Sequence, residues 1–167
     1  KDLQDACREG FKDPDLAPFM SVNVSGRQLE RDDFARSIAD TIRTTGVNPV
    51  QVKLEITESA FVDDPQSAMR WIDDCKQLGV SIALDDFGTG FSSLGYLHQF
   101  QVDVLKIDRC FINAMGENER AAQVVRAVAG LAQGLNLVVL AEGIEEAHQI
   151  GALAELECEL GQGYLFS

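Results

Sequence analysis

With 167 residues, 46% of them hydrophobic and 25% charged, the chain has the composition of one soluble globular domain. A formal net charge of −13 argues against attraction to a nucleic acid polymer or an anionic membrane, so a phosphate-bearing substrate would need metal ions to neutralise it. Four widely spaced cysteines without a Cys-x-x-Cys pair, and only two histidines, exclude a disulfide scaffold, a thiolate zinc site and a His-rich metal site, and fit a reducing cytoplasm.

The opening KDLQDACREG reads as the end of a helix stopped by Gly10, which suggests a fragment of a longer protein. Strand signals then follow at FMSVNVS (19–25), VKLEITES (52–59), VSIALDD (80–86), VDVLKID (102–108) and LNLVVLAEG (135–143), with a weaker one in CELGQGYLF (158–166). Amphipathic helices alternate with them. Phe34, Ile38 and Ile42 recur every four residues before Gly46, and Asp64-Pro65 opens a helix that Gly79 closes. ERAAQVVRAVAGLAQG and EEAHQIGALAEL complete the set. No apolar run approaches the ~18 residues of a membrane span, so no direct membrane insertion is expected of this segment.

Regular β-α alternation predicts a parallel sheet, open or closed into a barrel. Each strand has one apolar face and, on the other, a polar residue near its C-terminal end, where a (β/α)8 barrel keeps its active site. A full barrel runs about 250 residues. The expected fold is therefore an incomplete α/β barrel, lacking at least one strand before Lys1.

Superposing the strand ends brings Asn23, Glu55, Asp85, Asp86, Lys106 and Glu142 to one mouth, with Gln162 joining from the last strand signal. Carboxylates and an amide oxygen without His or Cys suit Mg²⁺, Mn²⁺ or Ca²⁺. The adjacent Asp85 and Asp86 make sense if Asp85 bridges two ions and Asp86, past the strand end, turns inward to hold one. Each residue taken alone has an ordinary structural explanation, such as a solvated turn, a surface charge or a salt bridge between Lys106 and Asp108 or Asp85. Those explanations leave the shared location unaccounted for. Two other motifs fail: Gly88-x-Gly90 lacks the third glycine of a dinucleotide-binding loop, and Asp86-Phe87-Gly88 has no accompanying kinase elements.

SVNVSGRQL, LEITES, ALDDFGTGFSSLGYL, LKIDRCFI, LAEGIE and LGQGYLFS, in this order, resemble the successive motifs of the EAL-domain family of bacterial cyclic di-GMP phosphodiesterases. The resemblance covers nearly the whole chain, so residues 1–167 read as one partial EAL-type domain. It implies a variant (β/α)8 TIM-like barrel with one antiparallel strand, here without the first strand and the last helix. It also implies two Mg²⁺ or Mn²⁺ ions, hydrolysis of cyclic di-GMP to linear 5′-pGpG, and inhibition by Ca²⁺.

Carried over residue by residue, the family pattern makes Asn23, Glu55, Asp85 and Asp86 metal ligands. Lys106 would polarise the attacking water or the phosphate, and Glu142 would serve an ion's water shell or act as base. Gln162, Glu58 and Asp108 would contact substrate or support the ligands. Glu58 would brace a flexible loop containing Phe87, Gly88 and Gly90, which the family also associates with a homodimer interface. Fused sensor or GGDEF domains are expected partners, and the cytoplasm, or the cytoplasmic part of a membrane-anchored protein, is the expected location. The Glu-Ala-Leu signature itself is absent from this chain. The alternative reading is an inactive EAL-like cyclic di-GMP receptor or a dimerisation module.

Overall fold

The computed structural model describes residues 19–29, 31, 33–61, 64–89, 97–116 and 118–166. The helix end expected at residues 1–10 and the hinge expected at Gly90 lie outside them. Six strands form one sheet in sequential order: β1 (Met20–Val24), β2 (Val52–Thr57), β3 (Ser81–Phe87), β4 (Val104–Ile107), β5 (Val138–Glu142) and β6 (Leu160–Gln162). All pairings among the described residues are parallel. Helices α1 (Gly26–Leu29), α2 (Phe34–Thr45), α3 (Pro65–Gln77), α4 (Arg109–Ala114), α5 (Glu119–Gly134) and α6 (Ala147–Glu155) occupy the connections. The result is an arc of a β/α barrel, with β1 and β6 as its two edges among the described residues.

The helices follow from local chemistry. Asp64 accepts a hydrogen bond from the Ser67 N–H at 3.0 Å and Pro65 stands at the first helical position, so α3 starts there. It then buries Ala68, Trp71, Ile72 and Cys75, one stripe at helical spacing. Asn118 caps α5 through the Arg120 N–H at 2.9 Å. Gly46, at φ +69°, takes the left-handed turn that ends α2.

Strand alternation sorts the two faces of the sheet. Leu54, Ile56, Ile82, Leu84, Leu105, Ile107 and Val139 pack in one core with Trp71, Ile72 and Val125 from the helices. Burying each such side chain fully is worth about 1.5–3 kcal/mol, so this layer supplies most of the stability. Ala83, Val104 and Leu140 form a separate small apolar layer, with Lys53, Glu55, Asp85 and Lys106 buried as polar groups. These residues alternate with the outer-core positions along their strands, which assigns them to the inner face.

Two expectations about the end of β3 need correction. Phe87 is not a loop residue: it ends the strand and is 3% exposed. Asp86 likewise lies within the strand rather than beyond it. The register with β4 steps from Leu84–Leu105 to Phe87–Ile107, three residues against two, so a bulge falls at Asp85-Asp86. Asp86 absorbs it at φ +55°, a left-handed conformation that aspartate tolerates better than most residues.

Candidate active site

Lys106 is the centre of the mouth. Its Nζ lies 2.6 Å from Glu55 Oε2, 3.0 Å from Asp85 Oδ1 and 2.6 Å from Glu142 Oε1. The lysine side chain is 3% exposed. Four neighbouring strand positions thus meet at one atom: Glu55 on β2, Asp85 on β3, Lys106 on β4 and Glu142 on β5.

The protonation tendencies express a shortage of positive charge. Burial pulls the Lys106 ammonium down, but Glu142, Glu55 and Asp85 together hold it above the ordinary lysine range. Glu142 is also raised, first by burial and then by Asp85 and Glu55, against the pull of Lys106. A simple ion pair would raise the base and lower the acid. Both rise here because the three carboxylates hold the ammonium, while at Glu142 burial, with Asp85 and Glu55 adding to it, outweighs the pull of the lysine. Asp86 is raised by burial, Asp85 and Asp108.

This imbalance fits divalent cations. Carboxylate oxygens of Asp85, Asp86 and Glu142 lie within 4.8 Å of one another, and none of these side chains offers nitrogen or sulfur. A hard oxygen set carrying excess negative charge is what Mg²⁺ and Mn²⁺ prefer. The bulge is the reason successive aspartates can serve one site: in a regular strand they would face opposite ways.

The other sequence-predicted residues surround this cluster unequally. Asn23 is the register partner of Glu55 on exposed β1, and Gln162 is that of Glu142 on exposed β6. Glu58, 4% exposed, accepts from the Gly88 N–H at 3.3 Å. Asp108 accepts from the Cys110 N–H at 2.9 Å and caps α4. Burial works against its ionisation, but the Cys110 hydrogen bonds and Arg109 hold it below the ordinary aspartate range. A groove of about 700 Å³ lies between β1 and α2, where Met20, Val22, Phe34 and Ile38 line it together with Asn23. Its lining is mostly apolar and omits Lys106 and the carboxylates, so the chemistry is read from the mouth.

Sequence reasoning missed three features around the mouth. Lys53 lies on the inner face two residues before Glu55, under the Phe19 ring, with its ammonium held below the ordinary range chiefly by burial. Gly143, at φ +71°, follows Glu142, and a Cβ there would sit 2.4 Å from Arg109 Cβ. Gln149 is 4% exposed and joins two helices. Only the last had a legible signal, the Glu-x-x-Gln spacing of Glu146 and Gln149 at a helix start.

Residues 1–167 match the family model described as EAL domain. The chain is 37% identical over 148 residues to the cyclic di-GMP phosphodiesterase NbdA of Pseudomonas aeruginosa, covering 89% of this chain and 19% of NbdA. Its fold matches the PaMucR phosphodiesterase in complex with c-di-GMP at a TM-score of 0.88 and 33% identity, over 99% of this chain and 68% of that one. It also matches BlrP1 of Klebsiella pneumoniae in a manganese and cy-diGMP complex, with TM-score 0.80 and 26% identity, over 88% of this chain and 38% of that one. The chain spans about a fifth of the length of the curated relatives it matches.

Proposed function

The chain belongs to the EAL domain family, and on that premise we propose that its acidic mouth hydrolyses one phosphodiester bond of cyclic di-GMP to give linear 5′-pGpG. The observation that carries this reading is the convergence of Glu55, Asp85 and Glu142 on Lys106, with Asp86 turned to the same side by the bulge. Asn23, Glu55, Asp85 and Asp86 would hold two Mg²⁺ or Mn²⁺ ions. Such ions supply Lewis acidity toward the phosphate and make water a nucleophile at neutral pH.

The protein's own groups divide the remaining work. Lys106 keeps a full positive charge among the carboxylates and stands to offset the negative charge that the phosphate oxygens gain during attack. Glu142, held above the ordinary glutamate range by burial, is suited to take the proton of the attacking water. The new oxygen–phosphorus bond forms as the bond to the 3′ oxygen breaks. That oxygen takes up a proton and leaves as a hydroxyl, and the new phosphate end stays on the linear product. Glu58 fixes the backbone just after Asp86, while Gln162 and Asp108 flank the substrate.

The test is chromatography of cyclic di-GMP incubated with the full-length protein and Mg²⁺ or Mn²⁺. Linear product that disappears with EDTA, and falls at least about 100-fold in Asp85→Asn, is the expected result. Binding without turnover would move the reading to a receptor, and neither binding nor turnover would remove both.

A further inference from the structure

We infer that Gln149 is a positioning residue that ties the Glu142–Gln162 side of the mouth to the Lys106–Asp108 side. The inference rests on the hydrolytic reading of that mouth. The segment after Glu142 is held by packing, with Gly143 against Arg109 and Ile144 buried in the core, and by backbone bonds toward the edge of the sheet. Ile144 donates its N–H to Gln162 O at 3.0 Å and accepts from the Leu165 N–H at 3.0 Å. Those bonds join it to β6 and to the turn that follows, and β6 is a three-residue exposed strand whose only pairing among the described residues is with β5. Glu142, Ile144 and Gln162 therefore form one unit at the edge of the sheet.

Gln149 links that unit inward. Its Oε1 accepts from the N–H groups of Glu145 at 2.9 Å and Glu146 at 3.0 Å. Its Nε2 donates to Ile112 O at 3.3 Å, on α4, the helix that Asp108 caps. One buried amide thus uses both halves: the oxygen fixes the loop after Glu142, and the nitrogen fixes that loop to the helix after β4. A leucine would leave two loop N–H groups and a helix carbonyl without this partner. The 2.6 Å Glu142–Lys106 contact would then lose its polar tie to α4 and keep the four-pair β4–β5 ladder, the Gly143–Arg109 contact and the packing of Ile144.

Misplacement of a reacting group by an ångström can cost about 100-fold in rate, and a loosened tie should cost less. For Gln149→Leu in the full-length protein, kcat for cyclic di-GMP with Mn²⁺ should fall about tenfold while KM stays within about twofold. Gln149→Glu separates positioning from folding. Its carboxylate still accepts from Glu145 and Glu146, so the start of α6 is kept, but it cannot donate to Ile112 O when ionised. Its kcat should fall with that of the leucine variant while Tm stays closer to wild type. Without metal or substrate, hydrogen exchange at residues 144–146 should speed up in Gln149→Leu and be unchanged at β3.

Gln133→Leu is the control: it removes another side-chain tie, to Leu156 O at 3.0 Å, at the opposite end of the helices, and should leave kcat unchanged. Wild-type kcat in Gln149→Glu, or unaltered exchange at 144–146 in Gln149→Leu, overturns the inference. A wild-type protein that does not cleave cyclic di-GMP, whether or not it binds it, overturns the hydrolytic reading, and the positioning role with it. Altered exchange at 144–146 would then be a structural tie only.

Discussion

Two loops leave the mouth, one after β3 and one after β5, and they deliver carboxylates to the same lysine by different means. After β3 the work is local. A bulge and a left-handed Asp86 turn the chain, the Asp86 N–H bonds the neighbouring Asp85 Oδ1 at 3.0 Å, and Thr89 bonds back to Asp86 O. After β5 the work is done at a distance. Gly143 lies against Arg109, Ile144 bonds across to β6, and Gln149 carries the hold to α4. Changes at the β3 rim should therefore alter charge and leave the fold in place. Changes at the β5 rim should spread to neighbouring strands.

The largest effect should come from removing the lysine on which both rims converge. Lys106→Met leaves Glu55, Asp85 and Glu142 facing one another without a counter-charge. Breaking a buried ion pair from one side costs about 3–5 kcal/mol, and urea unfolding in EDTA at pH 7 should show a loss of that size. Acid should shrink the deficit below about pH 4, where carboxylates begin to take up protons and the repulsion fades. A deficit that is the same at pH 7 and pH 4 would mean that the lysine matters for packing rather than charge.

A smaller effect separates the rims directly. Gly143 and Gly88 both have positive φ, at +71° and +92°, so alanine is strained at either, by about 1–3 kcal/mol. At Gly143 the added Cβ also meets Arg109 Cβ at 2.4 Å and Cα at 3.3 Å. At Gly88 the nearest atom is Phe111 Cε2 at 3.3 Å, the edge of a ring that can shift. Gly143→Ala should lower Tm more than Gly88→Ala. The reverse order would show that the β5 rim is the more compliant.

The two rims were also unequally legible in the sequence. Alternation along SVNVS, VKLEIT and VVLAEG located β1, β2 and β5 and placed Asn23, Glu55 and Glu142 at one end, because a period of two is a direct consequence of strand geometry. The bulge breaks that period. IALDD alone says that Asp85 and Asp86 should face opposite ways, and nothing in a local window marks which residue will turn left-handed. The need to relieve two adjacent like charges with cations, rather than the alternation, suggested that both serve one site. The contact between Gly143 and Arg109 joins residues 34 positions apart, and such pairings are invisible until the strands are registered. Gln149 was half legible: its spacing from Glu146 marks a helix start, while its bond to Ile112 O is a tertiary fact.

The smallest effect isolates charge from conformation at the β3 rim. Asparagine tolerates left-handed backbone as aspartate does, so Asp86→Asn keeps the bulge and removes only the negative charge. Asp86 is held above the ordinary aspartate value of 3.8 by burial, Asp85 and Asp108. Between that value and its raised one the native state binds more protons than the unfolded chain, so stability falls as pH rises through the window. Above the window the ionised Asp86 costs its full amount. The asparagine variant should then be more stable than wild type at pH 7.5 in EDTA, by about 1 kcal/mol or less because solvent screens the group. The gain should fade as pH drops through the window and be gone below 3.8. Urea unfolding of both proteins across this pH range reads the difference, and equal stability of wild type and Asp86→Asn at pH 7.5 would show that the Asp86 charge carries no cost in the folded state.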